Sequence, residues 1–296
     1  MSKLTNITLY LMGEKGYATL LEIVEQHGPG CIKLAFLAND KNVMRDYVDE
    51  MKAFCFENTI PCATKGIGSQ DYTLEGVGFA IGWRWLIKVE EGSRLIVMHD
   101  SLLPESRGWA PLVQALISGD TEIGVSAFIA DDGMDTGDLI QQESKSISYP
   151  IHIQTAIQML TGLYGFIACK IIRNGISVLH REQTPSPSYS MWRDRDDYAI
   201  NWKLSAYEIQ RFIHATGFPY TGAKCQLQTP KGNSQILQVI EAEIYPDKRI
   251  LDRSKHVGKV FAIEDDCFIV VCGGGLLKLT ETSAVNGPKA LRTRFL

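Results

Sequence analysis

The 296-residue sequence predicts a two-domain α/β protein, a doubly wound, mostly parallel sheet followed in the chain by a smaller β-rich module. Three observations predict it. Short apolar runs of the kind buried in parallel sheets alternate with segments of helical period through the first two thirds of the chain. That alternation stops near residue 185 and gives way to short strands punctuated by turn residues. The length also exceeds one average domain without reaching three. The expected boundaries are a first domain over 1–185, a linker over 186–205 and a C-terminal domain over 206–296.

Taken in order, NITLYLM at 6–12 is a β-type run ending at Gly13, and YATLLEIVEQ at 17–26 spaces its apolar residues as a helix does. His27-Gly28-Pro29-Gly30 stops that helix. CIKLAFL reads as a strand, VMRDYVDEMKAFCFEN as a helix, and VGFAIGW and RLIVMH as buried strands. PLVQALISG is a helix closed by Gly119, IGVSAFIA a further strand, and DDGMDTGD a turn-rich loop. A long helix runs over roughly 150–174, from near Pro150 to a stop at Asn174-Gly175. EQTPSPSYSMWRDRDD has no apolar period and serves as the connection. Beyond it, AYEIQRFIHA is a helix, and the rest is short strands, with CGGG at 272–275 as a hairpin turn.

The apolar share of 45% describes an ordinary globule with enough material for a core. A net charge of −4 exerts no general pull on nucleic acid or an anionic membrane, so neither is expected as a partner. Residues 201–296 hold 13 Lys and Arg against 9 Asp and Glu, which leaves the balance of the chain acidic. A small anionic ligand would suit that asymmetry, and so would chance. Seven cysteines without a CxxC pair read as reduced thiols, and the apolar run at the N-terminus is too short for a signal or anchor. A cytoplasmic protein is the expectation, and a homodimer is compatible with the sequence.

Ligands of open parallel sheets bind outside the carboxyl ends of the strands. His99 stands there, directly after the strand RLIVM and before the polar loop DSLLPESRG. Its bland alternative is a histidine that caps a strand end by bonding nearby backbone. Asp135 lies in DDGMDTGD after the next strand, where neighbouring strand ends would bring the two loops together. A carboxylate beside an imidazole orients it and favours its charged form, which suits an acyl-transfer base. The alternative for Asp135 is an Asx turn. No metal is read at this aspartate-rich loop, because His99 is the sole imidazole nearby and the spacing of a calcium loop is absent. GEKG at 13–16 lacks the glycine spacing that cradles phosphates. His27, His152, His180, His214 and His256 show no metal-ligand spacing and read as surface or satisfied core residues.

HDSLLPESRG followed by GVSAFIADDGMDTGDLI closely resembles the 10-formyltetrahydrofolate-dependent formyltransferases, whose hallmarks are an NxHxSLLPxxRG loop and a later DTGD loop. The likeness resumes at DDYAINWKLSAYEIQRFIHATGFPYTGA. It implies a Rossmann-like catalytic domain, with His99 and Asp135 in the catalytic positions and 10-formyltetrahydrofolate as formyl donor. By the same likeness Trp85 and Ile87 flank the pterin, while Asp131 and Asp132, with Asp135, belong to the loop that binds it. GWRWLI and FPYTGA are nearer to enzymes that formylate the amine of a nucleotide-linked amino sugar than to those acting on initiator tRNA. The implied substrate is thus a small molecule, with methionyl-tRNA formylation as the alternative. One departure stands out: the family's Asn two places before the histidine is Val97 here. Valine cannot donate a hydrogen bond to a developing oxyanion, so a folate- or nucleotide-binding protein without transfer activity is the further alternative.

Overall fold

A computed structural model describes residues 3–41, 43–64, 73–176, 183, 186–230, 232–286 and 289–296. His180 and the boundary drawn at 185 lie outside them. The chain folds into two compact units. The first comprises 1–112, 122–147 and 155–192; the second comprises 113–121, 148–154 and 193–296. A linear reading draws one boundary, whereas two short segments far upstream belong to the second unit, a membership that sequence distance hides. The stretch expected as a linker contributes to the second unit, in whose core Ile200 and Trp202 are buried.

The first unit is built on seven strands. β1 (Ile7–Met12) is buried along its whole length and leads at once into α1 (Gly13–His27), four residues earlier than the apolar period suggests. β2 (Ile32–Ala38), α2 (Val48–Glu57), β3 (Cys62–Thr64), β4 (Val77–Ile81) and β5 (Arg94–His99) follow. The second helix is shorter than expected at its start, where Tyr47 takes a left-handed φ of 61°. After α3 (Pro111–Ser118), which from Val113 on belongs to the second unit, come β6 (Glu122–Ile129), β7 (Leu139–Ser146) and α4 (Ile153–Asn174).

The sheet order is β7-β6-β5-β4-β1-β2-β3. The five strands from β5 to β3 are mutually parallel, and β6 and β7 close one edge antiparallel. This is the doubly wound arrangement, with the strand order reversing on either side of β1. β7 is not evident from the sequence: after the buried Leu139 and Ile140 its QQESKS is half-buried to exposed and lacks alternation, as an edge strand permits. α4 is long and apolar enough by composition to cross a membrane. Its buried residues Ile157, Leu160, Tyr164, Ile167, Ala168 and Ile171 recur at helical spacing and form a packed stripe. Asn174 ends it as expected, with Gly175 at φ 76° returning its amide to the Ile171 carbonyl.

The second unit carries α5 (Ala206–Thr216), opened by a capping box in which Ser205 and Glu208 satisfy each other's backbone amides. Its sheet has β8 (Ala223–Gln228), β9 (Ser234–Tyr245), β10 (Val260–Glu264), β11 (Cys267–Val271), β12 (Leu276–Thr282) and β13 (Arg294–Phe295). They run in the order β10-β11-β12-β9-β8-β13, antiparallel throughout. Trp202, Phe268 and Phe295 pack at 5.3 Å centroid separations in its core beside Ile209 and Ile213 of α5. The CGGG turn joins β11 to β12, as its glycines indicate.

Candidate active site

His99 is the last residue of β5 and only 9% exposed. Its Nε2 lies 2.9 Å from the Ser106 carbonyl oxygen. A carbonyl only accepts, so Nε2 carries a proton and donates it. Nδ1 is left facing Asp135, 3.7 Å from Oδ2.

That meeting is not made by neighbouring strand ends, as the order of elements in the sequence suggests. β6 runs antiparallel to β5, so the loop after it opens beside the start of β5, where the Ala130 amide bonds the Leu95 carbonyl. The segment after His99 closes the gap instead. The Gly108 amide donates to Asp135 Oδ2 at 2.7 Å. Arg107 donates through Nε to Gln183 Oε1 at 2.9 Å, and Gln183 Nε2 donates to the carbonyls of Asp135 and Gly137 at 3.0 and 2.9 Å. Tyr189–Ser190 lies parallel to Arg107–Gly108. Gly108, at φ 96°, has the Ser190 oxygen 2.6 Å from where a Cβ would stand.

The loop carrying Asp135 is equally constrained. Asp135 takes a left-handed φ of 54°, a conformation costly for a non-glycine residue and often found at functional sites. A Cβ at Gly137 would lie 1.7 Å from the Ile129 carbonyl oxygen, so only glycine fits the DTGD turn. The Asx turn that is the alternative for Asp135 belongs to Asp131, whose Oδ1 accepts from the Gly133 amide at 3.1 Å and the Thr136 hydroxyl at 2.7 Å. Asp131 thus shapes the loop, and Asp132 beside it is exposed.

Trp85 and Ile87 are half-buried and pack against the buried cluster of Tyr10, Phe36, Leu74, Ala80 and Leu95, as do Trp83, Val97 and Ala130. The Trp83 and Trp85 rings meet edge to face at 5.1 Å, and Trp83 meets Tyr10 at 5.4 Å. Burial pushes the Tyr10 phenol up to about 12, so it stays protonated at neutral pH. Val97 also touches Leu103, Phe128 and Leu139, which makes its side chain part of the apolar packing under the site.

Other residues of the site give no signal in the sequence. Asp100 is nearly buried and accepts from the Tyr164 hydroxyl at 2.6 Å and from Lys15 Nζ. Burial raises its pKa, but the Lys15 charge and bond, the Tyr164 bond and the His99 charge outweigh that and hold it below the usual carboxylate value. The Tyr164 phenol is pushed well up, by burial first and by Asp100 second. Ser126 and Gln142 tie down the loop after His99: Ser126 Oγ donates to the Ser101 carbonyl at 2.6 Å and accepts from the Leu103 amide at 2.9 Å. Gln142 Nε2 donates to the Leu103 carbonyl at 2.9 Å. These partners lie 23 to 85 residues apart, beyond any local motif.

The second unit holds an arrangement that the sequence does not announce. His152 and His214, unrelated by spacing, converge on Glu241. The three come from separate segments, so no spacing rule could find them.

Family comparisons agree with this geometry. Residues 86–158 match the family model described as Formyl transferase, and residues 193–294 match Formyl transferase, C-terminal domain. The methionyl-tRNA formyltransferase of Ralstonia nicotianae is 28% identical over 205 residues, 68% of this chain and 60% of that protein. That of Acidovorax ebreus is 31% identical over 204 residues, 67% of this chain and 60% of the relative. The matched part thus spans about 60% of the length of these curated relatives. Among solved structures, the sugar 3N-formyl transferase WlaRD superposes with a TM-score of 0.65 at 19% identity, covering 94% of this chain and 99% of that one. An N-formyltransferase from Helicobacter canadensis gives 0.64 at 18% identity, covering 93% and 98%. The two units, the doubly wound sheet and the matched N- and C-terminal models place this chain in the formyl transferase family.

Proposed function

We propose that the protein is an N-formyltransferase that moves a formyl group from 10-formyltetrahydrofolate to the amine of a nucleotide-linked amino sugar. The observation that carries the transfer chemistry is His99, whose Nε2 is committed to the Ser106 carbonyl and whose Nδ1 faces Asp135. Nδ1 is the atom free to take a proton. A carboxylate 3.7 Å away stabilises the imidazolium that results, and Gly108 holds that carboxylate in place.

Trp83, Trp85 and Ile87 offer the flat, apolar walls that a pterin requires, and Asp131, Asp132 and Asp135 supply polar groups on the loop assigned to its edge. When bound, the folate supplies the formyl carbon and departs as tetrahydrofolate. His99 accepts the proton lost by the attacking amine and returns it to the donor's N10 as the bond between N10 and the formyl carbon breaks, and Asp135 keeps the imidazole oriented through that transfer. No donor stands at Val97, and its side chain is engaged in apolar packing, so the formyl oxygen must be met by another group.

Two observations favour an amino-sugar nucleotide as acceptor. The superposition runs nearly end to end with WlaRD, whose structure was solved with dTDP and 5-N-formyl-THF, and with the Helicobacter enzyme, solved with folinic acid and dTDP-3-aminofucose. Beside the Gly108 and Asp135 contact, Trp109 and Trp192 are 39% and 55% exposed and meet edge to face at 6.4 Å, a surface suited to stacking a base. A second reading, methionyl-tRNA formylation, draws on the names of the sequence relatives. The deciding experiment incubates the protein with 10-formyltetrahydrofolate and either a panel of dTDP- and UDP-linked amino sugars or methionyl-tRNA. A mass gain of one formyl group on a sugar nucleotide is expected. Formylation of the tRNA alone would replace this reading with the second.

A further inference from the structure

His214 sits in the last turn of α5, Glu241 on β9, and His152 in the segment just before α4, all within the second unit. His152 Nε2 lies 2.6 Å from Glu241 Oε2, and His214 Nε2 contacts Glu241 Oε1. The two imidazole rings stack with centroids 4.2 Å apart and a tilt of 31°. One ligand atom from each residue falls within 4.8 Å of the others. We propose that His152, His214 and Glu241 bind a divalent transition-metal ion of the Zn2+ class, with one coordination position left to water.

The local backbone is shaped to make these three side chains converge. The register of β9 against β12 shifts on both sides of Glu241, a bulge of the kind that re-aims a side chain. Gln210, one helical turn before His214 on the same face of α5, donates to the carbonyl of Ala242 at 2.9 Å. The Ala242 amide donates to Glu241 Oε1 at 3.2 Å. On the third side, the Tyr149 hydroxyl bonds the Asp120 carbonyl, and the Arg211 guanidinium lies 5.8 Å over the Tyr149 ring. That anchors the approach to His152.

The donor set selects the ion. Two imidazole nitrogens and one carboxylate suit Zn2+ and its neighbours, whereas Mg2+ and Ca2+ demand oxygen ligands. Tetrahedral bonds of about 2 Å put ligand atoms about 3.3 Å apart, a small opening from the contacts seen. Each imidazole ligates through Nε2 as the neutral tautomer that carries its proton on Nδ1, so binding exchanges the Nε2 proton for one at Nδ1 through water. Two stacked imidazoles cannot both carry charge cheaply, while two neutral ones around a cation can. His214 is 3% exposed and His152 is 50% exposed, so the site has one sheltered wall and one open side through which the ion enters. This proposal stands apart from formyl transfer and does not require it.

The test uses the full chain, stripped with a chelator and titrated with Zn2+ by calorimetry, with Co2+ absorption as a second readout. About one Zn2+ per chain is expected, with visible Co2+ bands of tetrahedral type and a higher melting temperature when Zn2+ is present. His152→Ala and Glu241→Gln should each weaken Zn2+ at least about 10-fold and abolish the melting shift, since even outer partners of a metal site cost that much. His152 is half exposed, so its variant keeps the test valid if Glu241→Gln fails to fold. Absence of Zn2+ binding to the wild type would overturn the proposal. Undiminished binding in His152→Ala would do the same, by placing the ion on other histidines.

Discussion

Among the described residues imidazoles meet carboxylates at two places, His99 with Asp135 and His152 and His214 with Glu241, and the two are built to opposite ends. At His99 the partners stand 3.7 Å apart, each engaged elsewhere: the imidazole with the Ser106 carbonyl, the carboxylate with the Gly108 amide. At His214 the partners touch, and the same carboxylate also takes His152. A pair held short of contact leaves a nitrogen that can exchange a proton with a substrate. A carboxylate shared by two imidazoles engages both Nε2 atoms and gathers three potential ligand groups at one point. Placement by the surrounding backbone, and not residue type, separates the site proposed for proton transfer from the one proposed for ion binding.

The largest expected effect breaks the first pair. His99→Ala should lower formyl transfer about 100- to 10,000-fold, and Asp135→Ala at least about 100-fold, with the fold intact by circular dichroism. Normal turnover in either variant would remove the proton-transfer assignment.

Next comes the support beneath His99. Lys15→Met leaves Asp100 nearly buried without its countercharge and should cost about 3 kcal/mol of stability at neutral pH in denaturant melts. The pH dependence has a defined sign. In the wild type the folded pKa of Asp100 is depressed, so its contribution is complete above about pH 4 and is lost as pH falls through the lower folded value. In the variant the Lys15 charge and bond are gone and burial is opposed only by the Tyr164 bond and the His99 charge, so that pKa rises and the deficit should shrink as pH is lowered. A deficit that grows in acid would show that Lys15 does not hold the carboxylate charged.

A smaller effect is expected at the aromatic wall. Trp85→Ala should weaken folate binding about 3- to 10-fold while leaving affinity for the amine acceptor unchanged, as titrated separately by fluorescence or calorimetry. Equal losses for both ligands would move Trp85 out of the folate site.

The smallest effect concerns Val97. Its methyls pack against Leu103, Phe128 and Leu139, so an amide there enters apolar surroundings. Val97→Asn should change the transfer rate by less than about 3-fold, because an active enzyme already meets the formyl oxygen with another donor. A rise near 100-fold would mean that the donor is missing.

His99 was legible because it ends an apolar strand and opens a polar loop, and Asp135 because its glycines mark a turn. Most elements were legible for the same local reasons: β5 by its apolar run, α5 by Ser205 and Glu208, the end of α4 by Gly175. β7 was not, since an edge strand needs no apolar face. The start of α1 at Gly13 was not, because no side chain caps it.

What the sequence by itself determined is the order of elements, the fold class and the two loops that carry the candidate chemistry, because period, caps and turn residues act over a few positions. What only the tertiary structure decided is which groups meet. The antiparallel turn of β6 sends the Asp135 loop away from the end of β5, and the returning segment through Gly108 brings the carboxylate back to His99. Lys15 finds Asp100 across 85 residues, and His152 finds Glu241 across 89. Such contacts depend on where distant backbone is placed, and that placement is the sum of all the packing in the chain, which no local pattern records.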